Sequence, residues 1–94
     1  MDKIEKNEEE ILKIYRGKFN DKELFSHLIE RIELHMDKLR KLKEDKERQN
    51  IFLREVADVY LLARVLLRLE KVSKEVIKES SDYYLNKIDE LFKK

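Results

Sequence analysis

The chain of 94 residues is long enough for one domain with one hydrophobic core, and a domain of this size buries only a modest fraction of its surface. Lysine and arginine number 22 against 21 for aspartate and glutamate, so no net charge draws the whole chain towards nucleic acid or an anionic membrane. The lack of cysteine excludes disulfides, thiolate zinc sites and iron–sulfur clusters. Charged residues make up 46% of the chain, a bias typical of proteins from hot environments.

Neither a secretory leader nor a membrane span is expected from the sequence. Its first ten residues are rich in glutamate and lack the basic start and apolar centre of a secretory signal. The longest apolar run, Val59 to Leu67, is interrupted by Arg64 and is far shorter than the ~20 residues needed to cross a bilayer. We therefore expect a cytoplasmic protein with no membrane partner.

An all-helical fold is predicted, because the chain has one glycine, no proline, and apolar residues at spacings of three and four. The first helix is expected from about Lys3 to Arg16. Gly17 would end it, since glycine tolerates the left-handed conformation that often follows a helix. Asn20 lies three residues before Glu23, the spacing of a capping box, and predicts the start of the second helix.

The remaining helices follow from the apolar pattern. The second helix carries a narrow apolar stripe, made of Leu24, Phe25, Leu28, Ile32, Met36, Leu39 and Leu42. Eight polar residues at positions 43–50 either form a hairpin turn, the favoured interpretation, or continue the helix as a solvated stretch. A third helix is predicted from Ile51 to Lys78, and a last helix is capped by Ser80 or Ser81. The chain is thus predicted to be a single domain, residues 1–94, an all-α bundle of three to four helices built on an antiparallel helical hairpin.

The third helix has more apolar circumference than a surface helix needs. Either it is the central member of the bundle, or one of its sides is an interface of the kind that large exposed apolar patches form. A stripe of basic residues on the same helix consists of Arg64, Arg68, Lys71 and Lys78. The favoured interpretation is a solvated face with internal ion pairs, and the alternative is a contact with an acidic protein surface. The predicted partner-binding residues are Tyr60, Arg64, Leu67, Arg68 and Lys71.

Two pairs of acidic residues form a candidate metal site on consecutive helices, Glu30 with Glu33 and Glu55 with Asp58. Across a helical hairpin such carboxylates can hold magnesium, a hard cation that prefers oxygen ligands.

The segments HLIERIEL, at 27–34, and REVADVY, at 54–60, resemble the two metal-binding stretches of the MazG-like nucleotide pyrophosphohydrolases, all-helical enzymes with an ExxE helix followed by an ExxD helix. The resemblance covers the middle of the chain. It implies magnesium-dependent hydrolysis of nucleoside triphosphates to monophosphates by an oligomer. The expected ligands are Glu33, Glu55 and Asp58, because at about 100° per residue Glu30 lies far from the apolar stripe of its helix.

Structural roles compete with this interpretation. Glu55 would lie in the first turn of the third helix, where a negative charge meets the helix dipole and solvent. His27 and His35 are two helical turns apart, too far to hold one metal as a histidine pair. His35 is therefore expected to be a packing or surface residue.

Two classes of function stay open. The first is a non-catalytic helical protein–protein interaction module that needs no cofactor, either self-associating as a homo-oligomer or a small accessory subunit of a larger assembly. Nucleic-acid processing is one option for that assembly, because basic residues near positions 38–48 can neutralise phosphates, although the acids among them favour ion pairs within a solvated face. The alternative is a divergent MazG-like, magnesium-dependent nucleoside triphosphate pyrophosphohydrolase.

Overall fold

The computed structural model describes residues 2–93, apart from the side chain of Lys46. Within that range the chain forms helices and no β-strand. The helices are α1 (Lys3–Arg16), α2 (Asp21–Leu42), a short 3-10 helix (Lys46–Arg48), α3 (Gln49–Leu69) and α4 (Lys74–Phe92). The predicted all-α fold class is confirmed.

Side-chain caps define where three of the α-helices begin. The Oδ1 atom of Asp2 accepts a hydrogen bond from the backbone N–H of Glu5 at 2.8 Å. Asn20 and Glu23 form the predicted capping box, in which each side chain accepts a bond from the other residue's backbone N–H. Ser73 caps α4 through its hydroxyl. Each cap satisfies a backbone donor that has no partner within its helix.

α1 ends at Gly17 as predicted, but with a different geometry. The φ of Gly17 is −72°, in the right-handed region, and its N–H donates to the carbonyls of Lys13 and Ile14. The expectation of a left-handed glycine is therefore wrong.

The predicted turn between α2 and α3 is confirmed, because α2 ends at Leu42 and the 3-10 helix leads into α3.

The boundary between α3 and α4 differs from the prediction. α3 ends at Leu69 rather than Lys78, and Ser73 caps α4 in place of Ser80 or Ser81. Both of those serines lie inside α4 and are exposed. The predicted end of the third helix and start of the fourth are therefore wrong.

The break after α3 is a Schellman motif. The N–H of Val72 donates to the carbonyl of Leu67 at 3.0 Å, and the N–H of Lys71 donates to that of Arg68 at 3.2 Å. Lys71 has a φ of 56°, in the left-handed region where glycine is the usual residue. Because a lysine occupies this position, the sequence carried no glycine signal for the end of the helix.

The hydrophobic core lies where α1 crosses an antiparallel hairpin of α2 and α3. Its buried members are Leu12, Leu24, Leu28, Val65 and Leu69. Residues from the start of α2 meet residues from the end of α3 there, so the two helices run antiparallel. Burial of one such aliphatic side chain stabilises the fold by about 1.5–3 kcal/mol, so five of them make a small core.

The buried face of α2 is rotated from the predicted stripe. Leu24 and Leu28 are buried as expected, but Phe25 and Met36 are each 43% exposed. His35 is buried instead, with an exposure of 7%. Met36 was placed in the stripe because the prediction rests on the spacing of apolar residues. That spacing gives no signal for a buried histidine whose partner lies on another helix.

α4 extends away from the other three helices, which pack against one another. Every residue from Lys74 to Phe92 is exposed. The radius of gyration is 16.0 Å, well above the ~12 Å expected for a compact chain of this length. None of the helices in residues 2–93 combines the length and apolar character that a bilayer crossing requires.

The left-handed conformation at Lys71 generates a stability prediction. A residue with a Cβ costs about 1 kcal/mol more than glycine in this region. The free energy of unfolding of Lys71→Gly should therefore exceed that of Lys71→Ala by about 1 kcal/mol, and its urea midpoint should be higher. Urea unfolding followed by circular dichroism measures the difference. Equal midpoints for the two variants would show that the conformation carries no strain.

Candidate functional site

A groove between α3 and the start of α4 brings together all five predicted partner-binding residues. Its volume is about 450 Å³. Tyr60, Arg64, Leu67, Arg68 and Lys71 line it, together with Glu8, Val72, Lys74 and Ile77. The groove forms because α4 diverges from α3 after the Schellman motif, which leaves one side of α3 uncovered.

A buried carboxylate forms one wall of this groove. Glu8 of α1 is 1% exposed, and both of its oxygens accept hydrogen bonds from Nε of Arg64, at 2.8 and 2.7 Å. Nε of Arg68 donates to the same carboxylate at 3.4 Å. A buried charge without such partners would be strongly destabilising, so the two arginines fasten α1 to α3.

The same arginines make further contacts around the groove. Nη1 of Arg64 donates to the hydroxyl of Tyr60 at 2.7 Å, and its guanidinium lies 5.4 Å from the centre of that ring. Nη1 of Arg68 donates to the carboxylate of Glu9 at 3.4 Å. The predicted arginine stripe of α3 thus holds α1 in place, and Lys71 and Lys74 are the exposed cations at the groove's mouth.

The sequence carries a signal for this cluster, although the spacing of the apolar residues alone does not reveal it. Glu8 lies one helical turn before the buried Leu12, so it occupies an apolar position of α1. A charged residue at such a position needs an opposite charge from another element, and α3 carries Arg64 and Arg68 one turn apart.

The ion cluster shifts the protonation of its members. The hydrogen bond and positive charge of Arg64, with a smaller contribution from Arg68, hold the pKa of Glu8 below its usual value of 4.5, although burial opposes this effect. The hydrogen bond from Arg64 to Glu8 raises the pKa of the guanidinium. Both groups are therefore charged at neutral pH.

A second polar cluster lies on the hairpin of α2 and α3. One ligand atom from each of His35, Glu55 and Asp58 lies within 4.8 Å of the others. Nδ1 of His35 contacts Oε2 of Glu55, and Nη2 of Arg31 lies 3.4 Å from Nε2 of the same imidazole. One nitrogen and two carboxylate oxygens form a donor set for a divalent metal such as zinc, manganese or magnesium.

The three predicted metal ligands do not all meet. Glu55 and Asp58 lie together in this cluster, whereas Glu33 is exposed and lines a different surface hollow together with Glu30 and Asp37. His35 takes the third place, which the eight-residue spacing of the histidines had not suggested.

The positions of Glu55 and His35 differ in how well they agree with the structural roles expected for them. Glu55 was expected in the first turn of its helix, facing solvent, but α3 begins at Gln49, so this residue lies in the second turn. Its side chain is 13% exposed and contacts His35, so the solvent-facing interpretation is wrong. The expected packing role of His35 agrees with its burial.

The lowered pKa of Glu8 predicts a specific loss of stability in acid. A carboxyl group whose pKa is lower in the folded than in the unfolded chain contributes its full stabilisation above pH 4.5, and the contribution is lost as the pH falls through the folded-state value. Below pH 4.5 the free energy of unfolding of Glu8→Gln should therefore change less with pH than that of the unmodified chain. Urea unfolding across pH 2–6 tests this expectation.

Glu10→Gln is the matched control, because Glu10 lies on the same helix and is exposed. This variant should keep the acid dependence of the unmodified chain. An equal flattening of both pH profiles would contradict the role assigned to the buried carboxylate.

No protein-family model, curated protein or solved structure matches this chain. The resemblance to MazG-like enzymes therefore stays a prediction, and function has to be argued from the geometry of the groove, of α4 and of the cluster at His35.

Proposed function

We propose that this chain is a non-catalytic helical protein–protein interaction module, self-associating or serving as a small accessory subunit of a larger assembly. The observation that carries the proposal is α4, in which every residue from Lys74 to Phe92 is exposed. Most helices in small proteins owe their stability to the packing of an apolar face. A helix that packs on nothing within its own chain therefore needs a packing surface from another chain.

Four of the eight apolar residues of α4 share one face. Ile77, Tyr84, Ile88 and Leu91 recur at intervals that return to the same side of a helix. Tyr84 and Leu91 are more than 60% exposed. A continuous exposed apolar face of this kind is characteristic of protein interfaces.

The groove beside α4 adds polar specificity to this face. Leu67 and Ile77 give it an apolar floor, while Lys71 and Lys74 place positive charge at its mouth. A helix with apolar side chains on one face is the complementary partner for this floor.

Light scattering and thermal unfolding at several protein concentrations test the proposal. We expect a particle mass above the 11.5 kDa of one chain and a melting temperature that rises with concentration, because association stabilises the folded form by mass action. A monomer whose melting is independent of concentration, and which retains no partner from cell extract, would contradict it.

Adjacent tyrosines provide a matched pair of variants for the same test. Tyr84 lies on the apolar face of α4, and Tyr83 points about 100° away from it. Tyr84→Glu should weaken association about tenfold or more, equivalent to ~1.4 kcal/mol, since it places a charge in the contact. Tyr83→Glu should leave association nearly unchanged. Equal losses would show that this face is not the contact.

A divergent MazG-like pyrophosphohydrolase is the second candidate function. The observation that favours it is the proximity of Glu55 and Asp58 to His35, a donor set suited to a divalent cation. The exposed position of Glu33 and the cationic Arg31 beside His35 weigh against it.

The second candidate predicts release of pyrophosphate from nucleoside triphosphates with magnesium or manganese. Glu55→Gln should lower this activity about 100-fold, the scale of loss when a metal-site group is removed, while Glu10→Gln should retain it. Circular dichroism verifies that both variants fold. If Glu33 is the ligand that the resemblance implies, Glu33→Gln lowers the activity as well. An unmodified chain that hydrolyses no nucleotide rules out this candidate.

A further inference from the structure

α3 carries a second apolar stripe on the side opposite its core face. The stripe consists of Leu53, Val56, Tyr60, Ala63 and Leu67, spaced alternately by three and four residues. Leu53 and Tyr60 are both 57% exposed. At 100° per residue the stripe lies roughly opposite the buried Val65 and Leu69. Its first three residues, Leu53, Val56 and Tyr60, are exposed, whereas Ala63 and Leu67 are half-buried.

α4 carries a stripe with the same spacing, made of four apolar residues and one serine. It consists of Ile77, Ser81, Tyr84, Ile88 and Leu91, spaced alternately by four and three residues. Alternation of three and four keeps residues along one seam, as in the core positions of a coiled coil. The two seams have equal length, because each spans two heptads of its helix.

In an antiparallel alignment the two seams match step for step. Reading backwards along α3 and forwards along α4, the facing pairs are Leu67 with Ile77, Ala63 with Ser81, Tyr60 with Tyr84, Val56 with Ile88, and Leu53 with Leu91. The first pair already lines the same groove. The two small residues face each other next to the tyrosine pair, so a small–small layer adjoins a large–large layer, as in well-packed helical interfaces.

The connection between the helices favours a second copy as the source of the matching helix. The hydrogen bonds of the Schellman motif, the left-handed Lys71 and the cap at Ser73 set the direction in which α4 leaves α3. Beyond Ile77, which still lines a groove with Leu67 of its own chain, that direction takes α4 away from its own chain's stripe, and every residue of the helix is exposed. An exposed arm on a short, well-formed connection is the arrangement from which identical chains exchange elements.

We infer that two copies of this chain exchange α4, so that the Ile77–Leu91 seam of each packs antiparallel on the Leu53–Leu67 seam of the other. This inference rests on the proposed interaction function and names the partner. A reciprocal exchange is closed, because each copy uses its one α3 seam and its one α4 seam and neither is left over. It therefore produces a dimer rather than an open chain of subunits.

Cysteine cross-linking tests the register, and the chain has no cysteine of its own. Two differently tagged chains, one carrying Ala63→Cys and the other Ser81→Cys, are refolded together and oxidised. Since each chain has a single cysteine, a bond between the two tags forms only between copies. We expect a linked heterodimer, because facing positions in this register bring the Cβ atoms near the ~4 Å that a disulfide requires.

The matched control replaces Ser81→Cys by Asp82→Cys, at the next residue of the same helix and about 100° around it. The yield of linked heterodimer should fall about fivefold or more, because that side chain points away from the seam. Circular dichroism confirms equal helicity of the variants.

The outcomes separate the exchange from the broader proposal. Equal yields with Ser81→Cys and Asp82→Cys would overturn the register. A single chain carrying both Ala63→Cys and Ser81→Cys that links within a monomer, while the mixed chains stay unlinked, would overturn the exchange in favour of closure within one chain. An oligomer in light scattering without the link would overturn the inference but leave the interaction function standing, whereas a persistent monomer would remove self-association as well.

Discussion

The attachment of α1 to the helical hairpin depends on one buried charge. Glu8 is nearly inaccessible to solvent and is held by Arg64, with Arg68 beside it. Loss of the arginines would leave an unpaired carboxylate between α1 and α3, which is strongly destabilising. The effect on the fold would be large, because only a few aliphatic side chains form the described core. The cluster also positions Tyr60, so it shapes the groove that the interaction proposal uses.

The course of α4 follows from a backbone feature of α3. The left-handed Lys71 ends that helix early and turns the chain away from the hairpin. Two apolar seams remain uncovered as a result, one on α3 and one on α4. Packing the α4 seam on an α3 seam would remove both from water. Association would therefore bury the apolar surface that the open shape of a single chain exposes.

The sequence was sufficient for features that depend on local chemistry. The capping box at Asn20 and Glu23 and the turn after α2 follow from neighbouring residues, and both are present. The break at Lys71 was missed because it occurs without glycine. The partners of Glu8 and His35 were missed because each lies on another helix, and helical periodicity in one segment does not report contacts between distant segments.

Hydrogen exchange of backbone amides, measured at low and high protein concentration, reports whether association covers the seams of α3 and α4. If association covers the two seams, amides of α4 and of the solvent-facing side of α3 become more protected as concentration rises, because opening them then requires dissociation. Amides of α2, which already packs within the hairpin, change little. Exchange in α4 that is fast and independent of concentration would contradict the account.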